Sequence, residues 1–146
     1  MTINTASALW QGDLPTGNGT VELGQGAFKG QYSFKSRFED GKGTNPEELI
    51  AAAHAACFSM AFSHQLAQAG FTPKSVSTQA KVSLTKTDAG FAITQIALIC
   101  DADVPNVPET KFQELANAAK TGCPISKALA AVENITLQAT LKKAAA

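Results

Sequence analysis

From Leu49 to Pro73 the chain runs 25 residues without a formal charge. That exceeds the roughly 20 apolar residues that span a bilayer. However, His54, Ser59, Ser63, His64, Gln65 and Gln68 lie inside it and much of the remainder is alanine, so it reads as a helix buried within protein. Thr44-Asn45-Pro46-Glu47-Glu48 marks its start. Asn45 or Thr44 suits the cap, Pro46 fits the first turn, and the two acids face the positive end of the helix dipole. Gly70 stops it at Gln68 or Ala69, with Pro73 beyond. Apolar and small residues fall on every side of this helix, so it cannot be a surface helix with one buried stripe.

The rest of the chain is organised around that element. Before it, short alternating runs at Ala8 to Trp10, Thr20 to Leu23 and Gln31 to Phe38 are punctuated by glycines, which predicts a small antiparallel sheet with tight turns. After it, Val76, Thr78, Ala80, Val82 and Leu84 alternate with polar residues in a strand pattern, Asp88-Ala89-Gly90 supplies a turn, and Phe91 to Cys100 returns as a more apolar, central strand. Pro105 and Pro108 precede a helix from about Glu109 to Lys120. Gly122-Cys123-Pro124 then breaks it and opens a short helix over Ile125 to Val132, with Cys123 at or near its N-cap. Ile135, Leu137, Ala139 and Leu141 form a closing strand, and the tail from Lys142 to Ala146 is expected to be loose. The order is α+β with mostly antiparallel pairing, in a single domain over residues 1–146.

Twelve Lys and Arg balance twelve Asp and Glu, and charged residues make up only 16% of the chain. This argues against nucleic acid or an anionic membrane as a partner, and the scarcity of charge points to surface covered by another subunit. The N-terminus has neither a basic region nor an apolar one, so no signal peptide is expected. Three cysteines, an odd and sparse set, suit a reducing cytoplasm better than a disulfide framework.

Those cysteines are the candidates for chemistry. Cys57 sits midway along the apolar helix, where a thiol can simply pack. Cys123, at a helix N-terminus, faces unpaired N–H groups that stabilise a thiolate. Cys100 ends an apolar strand and is assigned to packing. His54 lies one turn before Cys57, which permits a Cys–His nucleophile pair of the acyl-transfer kind. His64 is about three turns from His54, so a metal site of His54, Cys57, His64 and Cys123 is not expected. Arg37 with Glu47 and Glu48 could supply a cation and the acid that fixes its fork, or could form an ordinary ion pair at a helix start. Glu47 and Cys57 are ten residues apart, about 15 Å on one helix. Direct contact within a chain therefore requires a bend, and otherwise Arg37 and Glu47 reach the thiol of a partner subunit.

Arg37-Phe38-Glu39, Gly43 to Ile50, and Ala52-Ala53-His54-Ala55-Ala56-Cys57-Phe58-Ser59-Met60-Ala61 closely resemble the osmotically inducible protein C (OsmC) family, within the OsmC/Ohr group of thiol peroxidases. So do Trp10-Gln11-Gly12-Asp13, Asp88 to Thr94 and Gly122-Cys123-Pro124-Ile125-Ser126. The resemblance implies an OsmC-like intertwined homodimer in which antiparallel sheets from both chains wrap around long central helices. It implies that Cys57 is the attacking thiol, Cys123 the resolving thiol, and that Arg37 and Glu47 assist at the peroxide. The implied substrates are organic hydroperoxides, with hydrogen peroxide handled less well. The implied reductant is an external thiol or dithiol of lipoyl type, and no metal or organic cofactor is needed. Position alone favours Cys123 as the low-pKa attacker, and the resemblance overrules that ranking. Phe38, Phe58 and Phe62 are candidates to line an apolar pocket for the alkyl group, or are simply core. Two other classes stay open: a Cys57/His54 acyl-transfer or thioesterase enzyme, and a non-catalytic small-molecule-binding dimer.

Overall fold

The computed structural model describes residues 1–143 and contains six strands and four helices among them. The last three positions of the expected loose tail lie outside the described residues, and Lys142 is held by a hydrogen bond from its N–H to the Ala102 carbonyl at 2.8 Å. The chain divides into two compact units, Met1–Leu49 and the remainder from Ile50. No helix among the described residues is long and apolar enough to cross a membrane.

In the first unit β1 (Ala6–Gln11), β2 (Asn18–Leu23) and β3 (Lys29–Ser33) form an antiparallel sheet in chain order. The alternating run expected from Gln31 to Phe38 stops at Ser33, and the chain turns into a short helix, α1 (Phe34–Phe38). The cause is a capping box that alternation does not reveal. The Ser33 hydroxyl accepts from the Ser36 N–H at 3.1 Å while the Ser36 hydroxyl accepts from the Ser33 N–H at 2.9 Å. The long helix α2 (Pro46–Gln68) starts at Asn45, whose side-chain oxygen accepts from the Glu48 N–H at 2.8 Å. It ends, as expected, before Gly70, which takes φ +90°.

In the second unit β4 (Ser75–Thr87), β5 (Gly90–Asp103) and β6 (Asn134–Leu141) form a sheet with β5 central. β4 and β5 are an antiparallel hairpin, but β6 runs parallel to β5, so this sheet is mixed rather than antiparallel. A parallel neighbour requires a crossover. The helices α3 (Glu109–Gly122) and α4 (Pro124–Ala128) lie between those strands in the chain and provide it. α4 ends well short of the expected Val132, after little more than one turn.

The core of this unit joins Phe58, Phe62 and Leu66 of α2, Ile96, Leu98, Cys100 and Ala102 of β5, and Phe112, Leu115, Ala116 and Ala119 of α3. A β-bulge keeps the sheet's apolar face in register with it. Ser83 pairs with Gln95 and Leu84 with Ile93, so Thr94 is skipped and both Ile93 and Ile96 turn to the same side. Phe58, Phe62 and Leu66 are fully buried, each contributing about 2 kcal/mol, which anchors α2 to this unit along one side.

Candidate active site

Two helical turns bring the thiols together. His54 and Cys57 lie one turn apart on α2, and Cys123 and Ser126 lie one turn apart across the break that opens α4. Cys57 meets Cys123, with Sγ atoms 2.9 Å apart, and His54 Nε2 meets Ser126 Oγ at 2.7 Å. The result is a ladder of two rungs between antiparallel turns. All three cysteines are free. Shortening the sulfur separation by about 0.9 Å would give a disulfide of ordinary length.

The two thiols differ electrostatically. Cys57 is partly exposed, and burial, together with the neighbouring Cys123, pushes its pKa up. Cys123 is fully buried. Burial works to raise its pKa, but hydrogen bonding from Cys57 and the facing N–H groups of Ile125 and Ser126 outweigh that, and the shift is downward. In the dithiol Cys123 Sγ donates to Cys57 Sγ. Cys123 is the N-cap residue of α4, and the N–H groups of Ile125 and Ser126 face its sulfur.

Cys100 lies buried in the β5 core, where burial raises its pKa. The thiol–imidazole pair of an acyl-transfer enzyme is not what forms: Cys57 is joined to Cys123 and His54 to Ser126. No group of three or more His, Cys, Asp or Glu side chains suited to a metal ion occurs among the described residues.

The first unit builds a guanidinium site. Arg37 Nε donates to Glu47 Oε2 at 3.1 Å and Nη2 to Glu47 Oε1 at 2.7 Å, a two-pronged fork that a lysine cannot reproduce. The local fold holds it in place. The Ser36 hydroxyl donates to the Thr44 carbonyl at 2.7 Å, and the Asn45 amide donates to the Ser36 carbonyl at 3.0 Å, tying α1 to the start of α2. Gly43 makes the close turn between them at φ +118°, where a Cβ would sit 2.5 Å from the Gln31 carbonyl oxygen. Trp10, Leu14, Tyr32, Phe34, Phe38 and Pro46 enclose a pocket of about 200 Å³ beside Arg37. The guanidinium lies 5.2 Å from the Phe38 ring centre.

Of the three phenylalanines read as pocket residues, Phe38 therefore lines a cavity. Phe58 and Phe62 are fully buried, 5.8 Å apart at their ring centres, with Phe62 packed edge-on against Phe112. Sequence reasoning passed over Ser126 and Tyr32 as site residues. The interval of three between Cys123 and Ser126, matching that between His54 and Cys57, is the signal that could have found Ser126.

The model of the OsmC-like protein family matches residues 39–138. The chain belongs to this family. The OsmC-like chain is 54% identical over 144 residues to peroxiredoxin OsmC of Escherichia coli strain K12, covering 97% of this chain and 99% of that one. The crystal structure of the organic hydroperoxide resistance protein OhrB of Bacillus subtilis superposes with a TM-score of 0.66 at 29% identity, covering 94% of this chain and 98% of the other. An OsmC-like protein from Mycoplasma pneumoniae, at 20% identity and a TM-score of 0.77 over 97% of this chain and 99% of its own, shares the fold.

Proposed function

We propose that this OsmC-like chain is a thiol-dependent peroxidase that reduces organic hydroperoxides, and hydrogen peroxide less well, to alcohols or water. The observation that carries this reading is the pair of free sulfurs 2.9 Å apart. The relationship to a peroxiredoxin and to an organic hydroperoxide resistance protein supports it. The Cys57 thiolate attacks the distal peroxide oxygen, the O–O bond breaks, and the departing alkoxide takes a proton to leave as alcohol. Cys57 is left as a sulfenic acid. Cys123 then attacks that sulfur, the S–O bond breaks, and water departs as the disulfide forms. An external dithiol of lipoyl type restores both thiols by exchange. No step calls for a metal or organic cofactor.

Cys57 on its own is the less acidic thiol, so the attacking thiolate needs a cation. Arg37, held by Glu47, is that cation, and the adjoining apolar pocket at Trp10, Phe34 and Phe38 takes the alkyl group. Phe58 and Phe62 are left to the core. Since Glu47 and Cys57 stand about 15 Å apart on one helix, the Arg37 that serves each Cys57 comes from the second chain of an intertwined homodimer with α2 at its centre. Ala52, Ala53, Ala56, Met60, His64 and Ala67 support that arrangement, forming an uncharged face of α2 that is exposed in the single chain. Residues 1–146 are read as one OsmC-like domain, since the likeness to peroxiredoxin OsmC covers 97% of this chain.

Mixed dimers test the assignment. In a heterodimer of Arg37→Ala and Cys57→Ser chains, sites shared between chains leave one complete site and half the activity. Sites confined to one chain leave no complete site and about a hundredth of the activity or less.

A further inference from the structure

We propose that His54 and Ser126 are positioning residues for the resolving thiol: the neutral imidazole donates from Nε2 to the Ser126 hydroxyl, which turns the hydroxyl's own proton toward Cys123 Sγ. This rests on Cys57 and Cys123 being the attacking and resolving thiols, and it gives a role to the second rung of the ladder, which the reaction otherwise leaves unused.

The geometry makes the direction of the hydrogen bond readable. His54 is fully buried and Ser126 is 8% exposed, with Nε2 and Oγ at 2.7 Å. His54 Nδ1 is buried and has no hydrogen-bond partner among the described residues. A buried N–H without a partner is rarer than a buried acceptor without one. The proton of the neutral ring therefore resides on Nε2, with a lone pair at Nδ1. Burial also lowers the pKa of this histidine, so the ring stays neutral and does not store the thiol's proton. With Nε2–H donating, Ser126 Oγ is occupied as an acceptor and its proton is free to face Cys123 one turn away, where the hydroxyl favours the thiolate.

The other groups facing Cys123 are Cys57 of α2 and the N–H groups of Ile125 and Ser126. Lys120, Lys127 and Glu133 line the open cleft beside Ser126. In the resolving step the Cys123 thiolate forms the S–S bond, hydroxide leaves Cys57 and takes up a proton equal to the one Cys123 gave up, and His54 and Ser126 emerge unchanged. The disulfide forms as the Cys57 sulfur is reduced from the sulfenic level and the Cys123 sulfur is oxidised.

A chain carrying Cys57→Ser and Cys100→Ala has Cys123 as its one thiol, and its ultraviolet thiolate absorbance against pH reads the midpoint without any peroxide. Adding Ser126→Ala is expected to raise that midpoint by about one unit, the effect of one hydrogen bond to a charged group. His54→Phe should raise it in the same direction, and Ser126→Thr should restore the parent value. With all cysteines present, Ser126→Ala should let the Cys57 sulfenic acid accumulate and slow its conversion to disulfide about tenfold at pH 7. A midpoint unmoved by both Ser126→Ala and His54→Phe overturns the proposal, and His54→Phe decides alone if the serine variant does not fold. If the parent chain fails to react with peroxide, the peroxidase reading falls while the thiolate titration still judges the relay.

Discussion

The Arg37–Glu47 fork and the Cys57–Cys123 pair differ in how each is kept ready. The arginine side chain is 35% exposed and is held by two strong hydrogen bonds, with its charge already in place. Cys123 is wholly buried and the thiols carry no charge until a proton leaves. The contrast separates two tasks. The first unit offers a fixed cation beside an apolar pocket, which the proposed reaction uses for the Cys57 thiolate and the alkyl group. The second offers a redox pair whose ionisation is set by a few N–H and O–H dipoles, which suits covalent chemistry.

The contrast can be broken from either side. Cys57→Ser should abolish hydroperoxide consumption with a dithiol donor, the largest effect expected, and retained turnover would mean that another thiol attacks. Arg37→Ala should lower the rate with cumene hydroperoxide about a hundredfold, whereas Arg37→Lys, which keeps the charge and loses the fork, should lower it about tenfold. Equal rates for the lysine variant and the parent would show that charge alone suffices. Cys123→Ser should leave the first, stoichiometric reduction of peroxide in place and trap Cys57 as sulfenic acid, read by mass after dimedone labelling.

The smallest effect concerns stability. The folded-state pKa of His54 lies below its ordinary value near 6.5, so the unfolded chain binds this proton more readily. Its contribution is fully present above that value and is lost as pH falls from about 6.5 through the folded-state value. The urea midpoint should therefore fall between pH 7.5 and pH 5, by less in His54→Phe than in the parent. An equal fall in both would remove His54 as the cause.

What the sequence made legible follows from the range of the interactions. The bounds of α2 were readable because Asn45, Pro46 and Gly70 act locally, and so was the β4–β5 hairpin with its alternation. The capping box at Ser33 and Ser36 hid α1 inside an apparently alternating run, since a serine pair at that interval reads equally well as strand surface. Alternation is blind to strand direction, which is why the parallel pairing of β6 with β5 was missed. The cysteine pair was legible through its resemblance to a known family, whereas the Ser126–His54 bond links positions 72 apart and is hinted at only by the equal intervals of three within each turn.

In the proposed reaction Cys57 and Cys123 form one redox pair. Intact mass and peptide mapping after one equivalent of cumene hydroperoxide test it most directly. A loss of about 2 Da per chain is expected, with a single crosslink between the peptides carrying Cys57 and Cys123. An unchanged mass, or a crosslink that uses Cys100 instead, would contradict it.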